Sequence, residues 1–369
     1  MFFFRIASAF ALAINLLPAA APGDEARDLK IQGEYTGTSI SPSGSESSLA
    51  AQVVALDQGD FKVVFYPGGL PGAGWSGKDR TETEAHTAGD RTEIAGDPYH
   101  GRIDGDSLIG SNSAGDGFRL AKRHRTSPSL GLPRPSGAVV LFDGTSLDQW
   151  TNAIRDTNGN LKPLEREGVT RKLFSDFSLH VEYQMPFLPF MISAARGNSG
   201  LRFFDDHHFF AEIQILDSFG GLPGSEECGG LESQFAPLVM AAFPPLAWQT
   251  LDVQLTTPPQ ADTPFVGNAV ITVWLNGILI HPGRTLSNMG PRTYIGLQSL
   301  DSLGAFRNVW LLEGNDHYEF FPGAGLSARH AGARASSTRR SGPLLSRPRM
   351  PGIYRADGVS LGQDPLPEE

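Results

Sequence analysis

The sequence predicts an all-β protein in which a two-sheet antiparallel sandwich follows a small antiparallel meander or barrel. Three observations predict this fold. Short segments alternate apolar and polar residues with a period of two, no long segment has a period of 3.6, and 43 glycines and 27 prolines supply many turns. Strands with one apolar and one polar face are buried most simply between two packed sheets.

Residues 1–21 are typical of a secretory signal peptide. Arg5 precedes an apolar stretch from Ile6 to Leu17, and Ala19, Ala20 and Ala21 form a small-residue cleavage site. About 12 apolar residues are too few to span a bilayer, which takes about 20. We therefore expect export to the periplasm or the extracellular space, with no transmembrane segment in the mature chain.

Residues 24–122 contain a series of short β-like segments, including LAAQVVAL, DFKVVFYP and YHGRIDGDSLIG. Turn sequences such as Pro-Gly-Gly and Asp-Gly separate them at intervals of about eight to twelve residues, which is typical of an antiparallel meander or small barrel. Residues 123–137 are basic, rich in proline and without periodicity. We expect them to form an extended linker.

Residues 138–313 carry the longer strands of the sandwich. FSLHVEYQM and AVITVWL alternate apolar and polar residues, and Asn276-Gly277 between two apolar runs is a strong hairpin signal. Residues 322–369 are instead rich in Gly, Ala, Ser, Pro and Arg. We predict that this tail is disordered, because it lacks the apolar residues that would offset its ordering entropy.

Charge and cysteine content narrow the classes of partner and chemistry. A net charge of -10 argues against nucleic acid as a partner. Cys228 is the only cysteine, so no intrachain disulfide can form, and we expect a small buried side chain there. No cofactor is required by any motif. A divalent metal ion stays possible, but adjacent residues of the DDHH run at 205–208 would point apart in a strand.

Several motifs, in order, resemble the 3-keto-disaccharide hydrolase family over residues 138–313. They are LFDGTSLDQW at 141–150, RGNSGL at 196–201, EIQILDSFG at 212–220, ECGGL at 227–231, PPLAWQTLDV at 244–253, ITVWLNGILIH at 271–281, IGLQ at 295–298 and FRNVWL at 306–311. The resemblance implies a jelly-roll sandwich related to the concanavalin A-like lectins and glucanases. It also implies a secreted enzyme that acts on glycosides oxidised at C3, and a separate sugar oxidoreductase that makes this carbohydrate substrate.

The chemistry that the resemblance implies sets requirements for the site. A ketone at C3 acidifies the C2 proton, so that a base can remove it and the C1 substituent can leave, after which water adds back. Such a site needs a base with a pKa near neutrality, a group that stabilises the enolate oxygen, and an acid for the departing oxygen.

The run Ala-Glu-Ile-Gln-Ile at 211–215 carries the main catalytic candidate. With Ile213 and Ile215 in the core, Glu212 and Gln214 point out of the opposite face, which in a curved sandwich forms a ligand groove. Glu212 is the predicted acid/base residue. Asp217 is its predicted partner or orienting carboxylate, and a bulge would be needed to bring it to the same face.

Further polar residues complete the predicted site. Arg196 can polarise a keto or enolate oxygen because guanidinium is a permanently charged donor. His180 shares the polar side of its strand with Glu182 and is the third catalytic candidate, as a base or a metal ligand, although a lone strand histidine is often merely exposed. The predicted substrate contacts are Arg196, Asn198, Ser199, Gln214, Gln298 and Asp301. A tight turn explains Asn198 and Ser199 equally well.

Departures from related sequences keep other functions open. Many family members follow GLQ with Asp-His-Gly, whereas this chain has SLDSLG at 299–304, in which Asp301 is the substitute carboxylate. This loss favours a non-catalytic, lectin-like glycan-binding module of the cell envelope. A direct retaining glycoside hydrolase is a further alternative, although it needs two carboxyl groups about 5 to 5.5 Å apart. A structural protein of the cell envelope is the last alternative function.

Overall fold

The computed structural model describes residues 22–164, 167–206, 209–259, 267–299 and 304–321. The predicted signal peptide and C-terminal tail lie outside the described residues. Within these ranges the chain is nearly all β, with a closed barrel and two further sheets that belong to one compact unit. The predicted fold class is confirmed.

One α-helix, α1 (Pro22–Ile31), precedes the strands, where the sequence analysis predicts none. Leu29 and Ile31 pack against the barrel core, and the Asp28 carboxylate accepts a hydrogen bond of 3.0 Å from the Gly59 amide. The helix is short, and only a few of its side chains meet the barrel, so its sequence carries little periodicity. Among the described helices, none is long and apolar enough to cross a membrane.

Eight antiparallel strands form the barrel, in which each strand pairs with the next and the eighth pairs with the first. They are β1 (Gly33–Ile40), β2 (Glu46–Asp57), β3 (Asp60–Pro67), β4 (Thr81–Ala88), β5 (Arg91–Ala95), β6 (Tyr99–Asp104), β7 (Ser107–Asn112) and β8 (Gly117–Arg123). Side chains fill the interior, where the rings of Phe65 and Tyr99 stack at 3.9 Å. The interior of the barrel is therefore a packed core.

The remaining strands form two sheets. The five-stranded sheet contains, in spatial order, β10 (Trp150–Thr151), β13 (Gly168–Thr170), β20 (Tyr294–Leu297), β15 (Asn198–Phe204) and β16 (Phe209–Leu216). The eight-stranded sheet contains β11 (Ala153–Arg155), β12 (Leu161–Pro163), β21 (Ala305–Glu313), β14 (Phe177–Gln184), β17 (Trp248–Thr256), β18 (Gly267–Leu275) and β19 (Ile278–Met289), with β9 (Val139–Phe142) beside β21.

The two sheets share one core, as the alternating pattern predicts. Val181 of β14 and both Ile213 and Ile215 of β16 are fully buried in the same apolar cluster. The Asn276-Gly277 hairpin is also present: both residues have positive φ, 53° and 78°, and β18 pairs with β19 across them. Glu212 and Gln214, which alternate with these isoleucines, therefore lie on the outer face of the five-stranded sheet.

The segment 123–137 lies against the outer face of the eight-stranded sheet. The hydroxyls of Ser127 and Thr250 are 2.6 Å apart, the Ser129 hydroxyl donates to Asp252 Oδ2 at 2.6 Å, and the Gly131 amide donates to Glu182 Oε1 at 2.6 Å. The segment is therefore held to the sandwich by buried hydrogen bonds along its length.

Candidate functional site

The outer face of the five-stranded sheet carries a polar cluster at its centre. In the antiparallel register, Arg202 of β15 pairs with Glu212 of β16 on one side and with Gly296 of β20 on the other. Side chains directly opposite on one face lie within contact distance. The register therefore brings an arginine and a glutamate together on the face that the sequence predicts for Glu212.

Two glycines on this face make room for carboxylates. A Cβ atom added at Gly200 would overlap the Glu212 carboxylate, and one added at Gly296 would lie 2.6 Å from the Phe204 ring and 2.7 Å from Glu167 Oε1. Each glycine thus leaves a hollow in the sheet surface, and a carboxylate lies over each hollow. A larger residue at either position would displace the carboxylate above it.

Glu212 is fully buried and hydrogen-bonded on both oxygens. Arg202 Nε donates to Glu212 Oε2 at 2.7 Å. In the amide orientation that its neighbours require, Gln298 Nε2 donates to Glu212 Oε1 at 3.2 Å and Gln298 Oε1 accepts from Arg202 Nη2 at 2.5 Å. Burial raises the pKa of Glu212 to about 7, against the opposing effect of Arg202, and the charges of Glu232 and Glu167 add to the rise.

Arg202 lies between two carboxylates. Its Nε is 2.7 Å from Glu212 Oε2 and 3.6 Å from Glu167 Oε1. The side chains of Arg202 and Glu167 are 27% and 25% exposed, whereas that of Glu212 is not exposed. Burial raises the pKa of Glu167, and the charge of Arg202 opposes this rise. We call Glu167, Arg202, Glu212 and Gln298 the Arg202 cluster.

The Arg202 cluster combines two chemical abilities. Arg202 is a permanent cation that can pair with an oxyanion, and it is the kind of donor that stabilises an enolate. Burial raises the pKa of both carboxyl groups, and the pKa of Glu212 is raised to about 7, so that Glu212 can take up and release a proton near neutral pH. Such perturbed carboxyl groups are typical of functional sites.

The prediction that the Glu212 side chain is open to a groove is wrong. Its position on the outer face is as predicted, but the side chain lies over Gly200 and is covered by Arg202 and Gln298. The exposed groups of the cluster are Arg202 and Glu167. Neither residue is among those predicted from the sequence, although Arg202 follows Asn198 and Gly200 at the period of two that places it on the outer face.

Asp217 and Arg196 pair with each other and not with Glu212, which corrects the roles predicted for them. Arg196 Nη2 is 3.1 Å from Asp217 Oδ2, and Arg196 Nη1 donates to the backbone oxygens of Ala55 in the barrel, at 3.1 Å, and of Pro189, at 3.2 Å. The Asp217 side chain is 1% exposed. This buried pair connects the sandwich to the barrel.

The other predicted substrate contacts divide between the two faces of β15. Ser199 is fully buried on the core side, with its hydroxyl donating to the Gln298 backbone oxygen at 2.9 Å, so its predicted contact with substrate is wrong. Asn198 is half-buried on the outer face, and Gln214 lies across from Gly200 on the same face. Gln298 belongs to the Arg202 cluster. Asp301 lies outside the described residues.

His180 lies on the far side of the sandwich from Glu212, which corrects its predicted catalytic role. It is fully buried on the outer face of the eight-stranded sheet, with Nδ1 2.6 Å from Asp252 Oδ1 and its ring stacked on Trp310. Burial alone would lower the pKa of His180, but its hydrogen bonds to Asp252 and Glu182, and their charges, raise it. His180 is therefore part of a buried hydrogen-bonded network beneath residues 127–132.

Glu182 of this buried network should make stability fall at low pH. Burial would raise the pKa of Glu182, but hydrogen bonds from His180, Asn308, Arg307 and the Gly131 amide lower it to about 2. Because the folded-state pKa is depressed below the ordinary 4.5, the stabilisation is complete above that pH and is lost as pH falls toward 2. The expected loss is about 3 kcal/mol.

Urea unfolding between pH 7 and pH 3 checks this expectation with Glu182→Gln. The variant should be less stable than the wild type at pH 7, and the difference should shrink as the pH falls. The exposed Glu84→Gln is the matched control and should follow the wild type at every pH. A constant difference between Glu182→Gln and the wild type over the range would contradict the assignment.

Among the described ranges, no group of three or more His, Cys, Asp or Glu side chains is arranged to hold a metal ion. The Asp205–His208 run ends at residues 207 and 208, which lie outside those ranges. The divalent ion that the sequence leaves possible therefore has no identified ligands.

Three solved structures illustrate what the chain resembles. A candidate glycosyl hydrolase of Parabacteroides distasonis is 27% identical, with 49% of this chain and 85% of that chain covered and a TM-score of 0.42. A second from the same organism is 18% identical, with 48% and 99% covered and a TM-score of 0.36. The carbohydrate-binding module CBM66 of Bacillus subtilis is 14% identical, with 48% and 96% covered and a TM-score of 0.27.

The family comparison is more specific than these structural likenesses. No curated protein matches the chain. The family described as "3-keto-alpha-glucoside-1,2-lyase-like domain" matches residues 137–312, which include both sheets of the sandwich and every member of the Arg202 cluster. The match confirms the resemblance that the sequence motifs predict.

Proposed function

We propose that the chain is a carbohydrate-active enzyme that cleaves 3-keto-glycosides at the Arg202 cluster. The observation that carries the proposal is the Glu212 carboxyl, whose pKa is raised to about 7 beside an arginine on the outer face of the five-stranded sheet. The match of residues 137–312 to a 3-keto-α-glucoside lyase-like family supports the substrate class. The predicted base and enolate-stabilising group are then Glu212 and Arg202.

Arg202 takes the place that the sequence analysis gave to Arg196. Its guanidinium is partly exposed, so a keto oxygen at C3 of the sugar can approach it. As the C2 proton leaves, negative charge collects on this oxygen, and a fixed cation at the position of the developing charge lowers the barrier. Gln298 forms hydrogen bonds with both Arg202 and Glu212 and so holds these two side chains in a fixed relative position.

Substrate binding also explains how a covered carboxylate can act as a base. The keto oxygen competes with Glu212 for the donors of Arg202. When Arg202 donates its hydrogen bond to the keto oxygen of the substrate, Glu212 loses the interaction that most favours its ionised form. Glu212 then becomes a stronger base, and its unbranched side chain is free to leave the hollow over Gly200.

The decisive experiment is an assay of the purified protein with a 3-keto-disaccharide and with the same disaccharide unoxidised. We expect release of the C1 substituent from the 3-keto compound alone, and in D₂O we expect deuterium at C2 of the product because the C2 proton exchanges. Saturable binding without turnover would favour the glycan-binding module. Cleavage of the unoxidised disaccharide without deuterium at C2 would favour direct hydrolysis.

We also propose that the chain is exported and acts after a separate sugar oxidoreductase. The signal-peptide pattern of residues 1–21 supports export, and the need for a ketone at C3 supports the oxidoreductase. N-terminal sequencing of the protein recovered from the periplasm or medium of a secreting host tests export. A mature chain that begins near Pro22 is the expected result, and an uncleaved chain retained in the cytoplasm would contradict it.

A further inference from the structure

We propose that Glu167 is the second proton-transfer residue of the site and donates the proton to the departing C1 oxygen. This inference rests on the proposed function, which by itself assigns only the base and the enolate-stabilising group. Glu167 lies just before β13. It belongs to none of the sequence motifs given above, and its neighbours in the sequence do not mark it as a site residue.

The geometry places Glu167 on the opposite side of Arg202 from Glu212. Glu167 Oε1 lies 3.6 Å and Glu212 Oε2 lies 2.7 Å from the same atom, Arg202 Nε. The separation between these two oxygens is therefore no larger than the sum of the two distances. This limit is compatible with the separations of about 5 to 9.5 Å at which paired carboxyl groups of glycosidases serve one sugar. A sugar whose keto oxygen meets Arg202 therefore lies close to both carboxyl groups.

Access and space also favour Glu167 for contact with the leaving group. Its side chain is 25% exposed, whereas Glu212 is covered. Its Oε1 lies over Gly296 beside the ring of Phe204, and this buried atom accepts no hydrogen bond among the described residues. A buried carboxyl oxygen without a hydrogen-bond partner favours the protonated form of the group, which is the form that donates a proton.

The charge balance gives the two carboxyls different protonation states. Arg202 contributes one positive charge to the cluster. The cluster is therefore electrically neutral when the two carboxyl groups share one proton, and burial disfavours a second negative charge. Arg202 donates its 2.7 Å hydrogen bond to Glu212, so the negative charge resides there. Glu167, whose Oε1 lies 3.6 Å from Arg202 Nε, is the more weakly paired of the two carboxyls and carries the proton in the proposed reaction.

The proposed reaction is balanced in protons and needs no oxidant or reductant. Glu212 takes the C2 proton, the C2–H electrons form the enolate, and the C1–O bond then breaks as the C1–C2 double bond forms. Glu167 gives its proton to the departing oxygen. In the second half, water adds to C1 and loses a proton to Glu167, while Glu212 returns a proton to C2. Both residues end in their initial states.

Glu167→Gln tests this role with two substrates that differ in the leaving group. A 3-keto-disaccharide releases a poor leaving group that needs a proton, whereas 4-nitrophenyl 3-keto-glucoside releases a stable phenolate. We expect Glu167→Gln to lower kcat/KM by about 10²- to 10⁴-fold for the disaccharide and by about tenfold or less for the aryl substrate. Glu167→Asp keeps the acid and should lie between the wild type and Glu167→Gln.

The outcomes separate this inference from the proposed function. Glu212→Gln should impair both substrates, since both must lose the C2 proton. If Glu167→Gln lowered kcat/KM equally for the two substrates, or for neither, the role of Glu167 would be overturned. Turnover by the wild type would still support the proposed function. A wild-type protein that turns over neither substrate would overturn both. The exposed Glu93→Gln is the matched control and should behave as the wild type.

Discussion

Glu212→Gln should lower kcat/KM for a 3-keto-disaccharide by about 10²- to 10⁴-fold, the range expected when a general base is removed. Glutamine has nearly the same shape and can still occupy the hollow over Gly200, but it cannot accept the C2 proton. Because Arg202 remains in place, substrate binding should change less than kcat. Steady-state kinetics with the purified variant measure both quantities.

The pH dependence of the wild type gives an independent measure of the same group. Glu212 must be ionised to act as a base, and its pKa is raised to about 7. The kcat/KM of the free enzyme should therefore fall as the pH drops through about 7, and this limb should disappear in Glu212→Gln. If Glu212→Gln instead retained full activity, Glu212 would be a structural partner of Arg202 and another base would be required.

Local sequence pattern was sufficient for the faces of the strands. The period of two in Ala-Glu-Ile-Gln-Ile places Ile213 and Ile215 in the core and Glu212 and Gln214 on the outside, as the structure shows. The same parity places Asn198 on the outer face. Strand alternation depends only on neighbouring residues, so it can be read without knowledge of the partners of a strand.

The pairing of charges could not be predicted in the same way, because it depends on register between strands. Arg202 meets Glu212 only because β15 and β16 pair with these residues opposite each other. Glu167 joins them from a segment that is far away in sequence. The same dependence explains the error on His180, since His180 and Glu212 both point outward but from opposite sheets of the sandwich.

Asp217→Asn should lower the free energy of unfolding by about 3 to 5 kcal/mol, the range for breaking a buried ion pair by removal of one partner. Arg196 would stay charged and 10% exposed, with no carboxylate to balance it. Its hydrogen bond to the Ala55 oxygen joins the sandwich to the barrel, so we expect the loss to affect the stability of both. Urea unfolding followed by intrinsic fluorescence measures the change.

Asp60→Asn is the matched control, because its ion pair with His86 lies on the barrel surface with both side chains more than half exposed. Its expected effect is below about 1 kcal/mol. Under conditions where Asp217→Asn is folded, kcat/KM should match the wild type, since Asp217 pairs with Arg196 whereas Glu212 pairs with Arg202. A stable Asp217→Asn protein without activity would return Asp217 to the catalytic site and would require the two carboxylates to meet in the substrate complex.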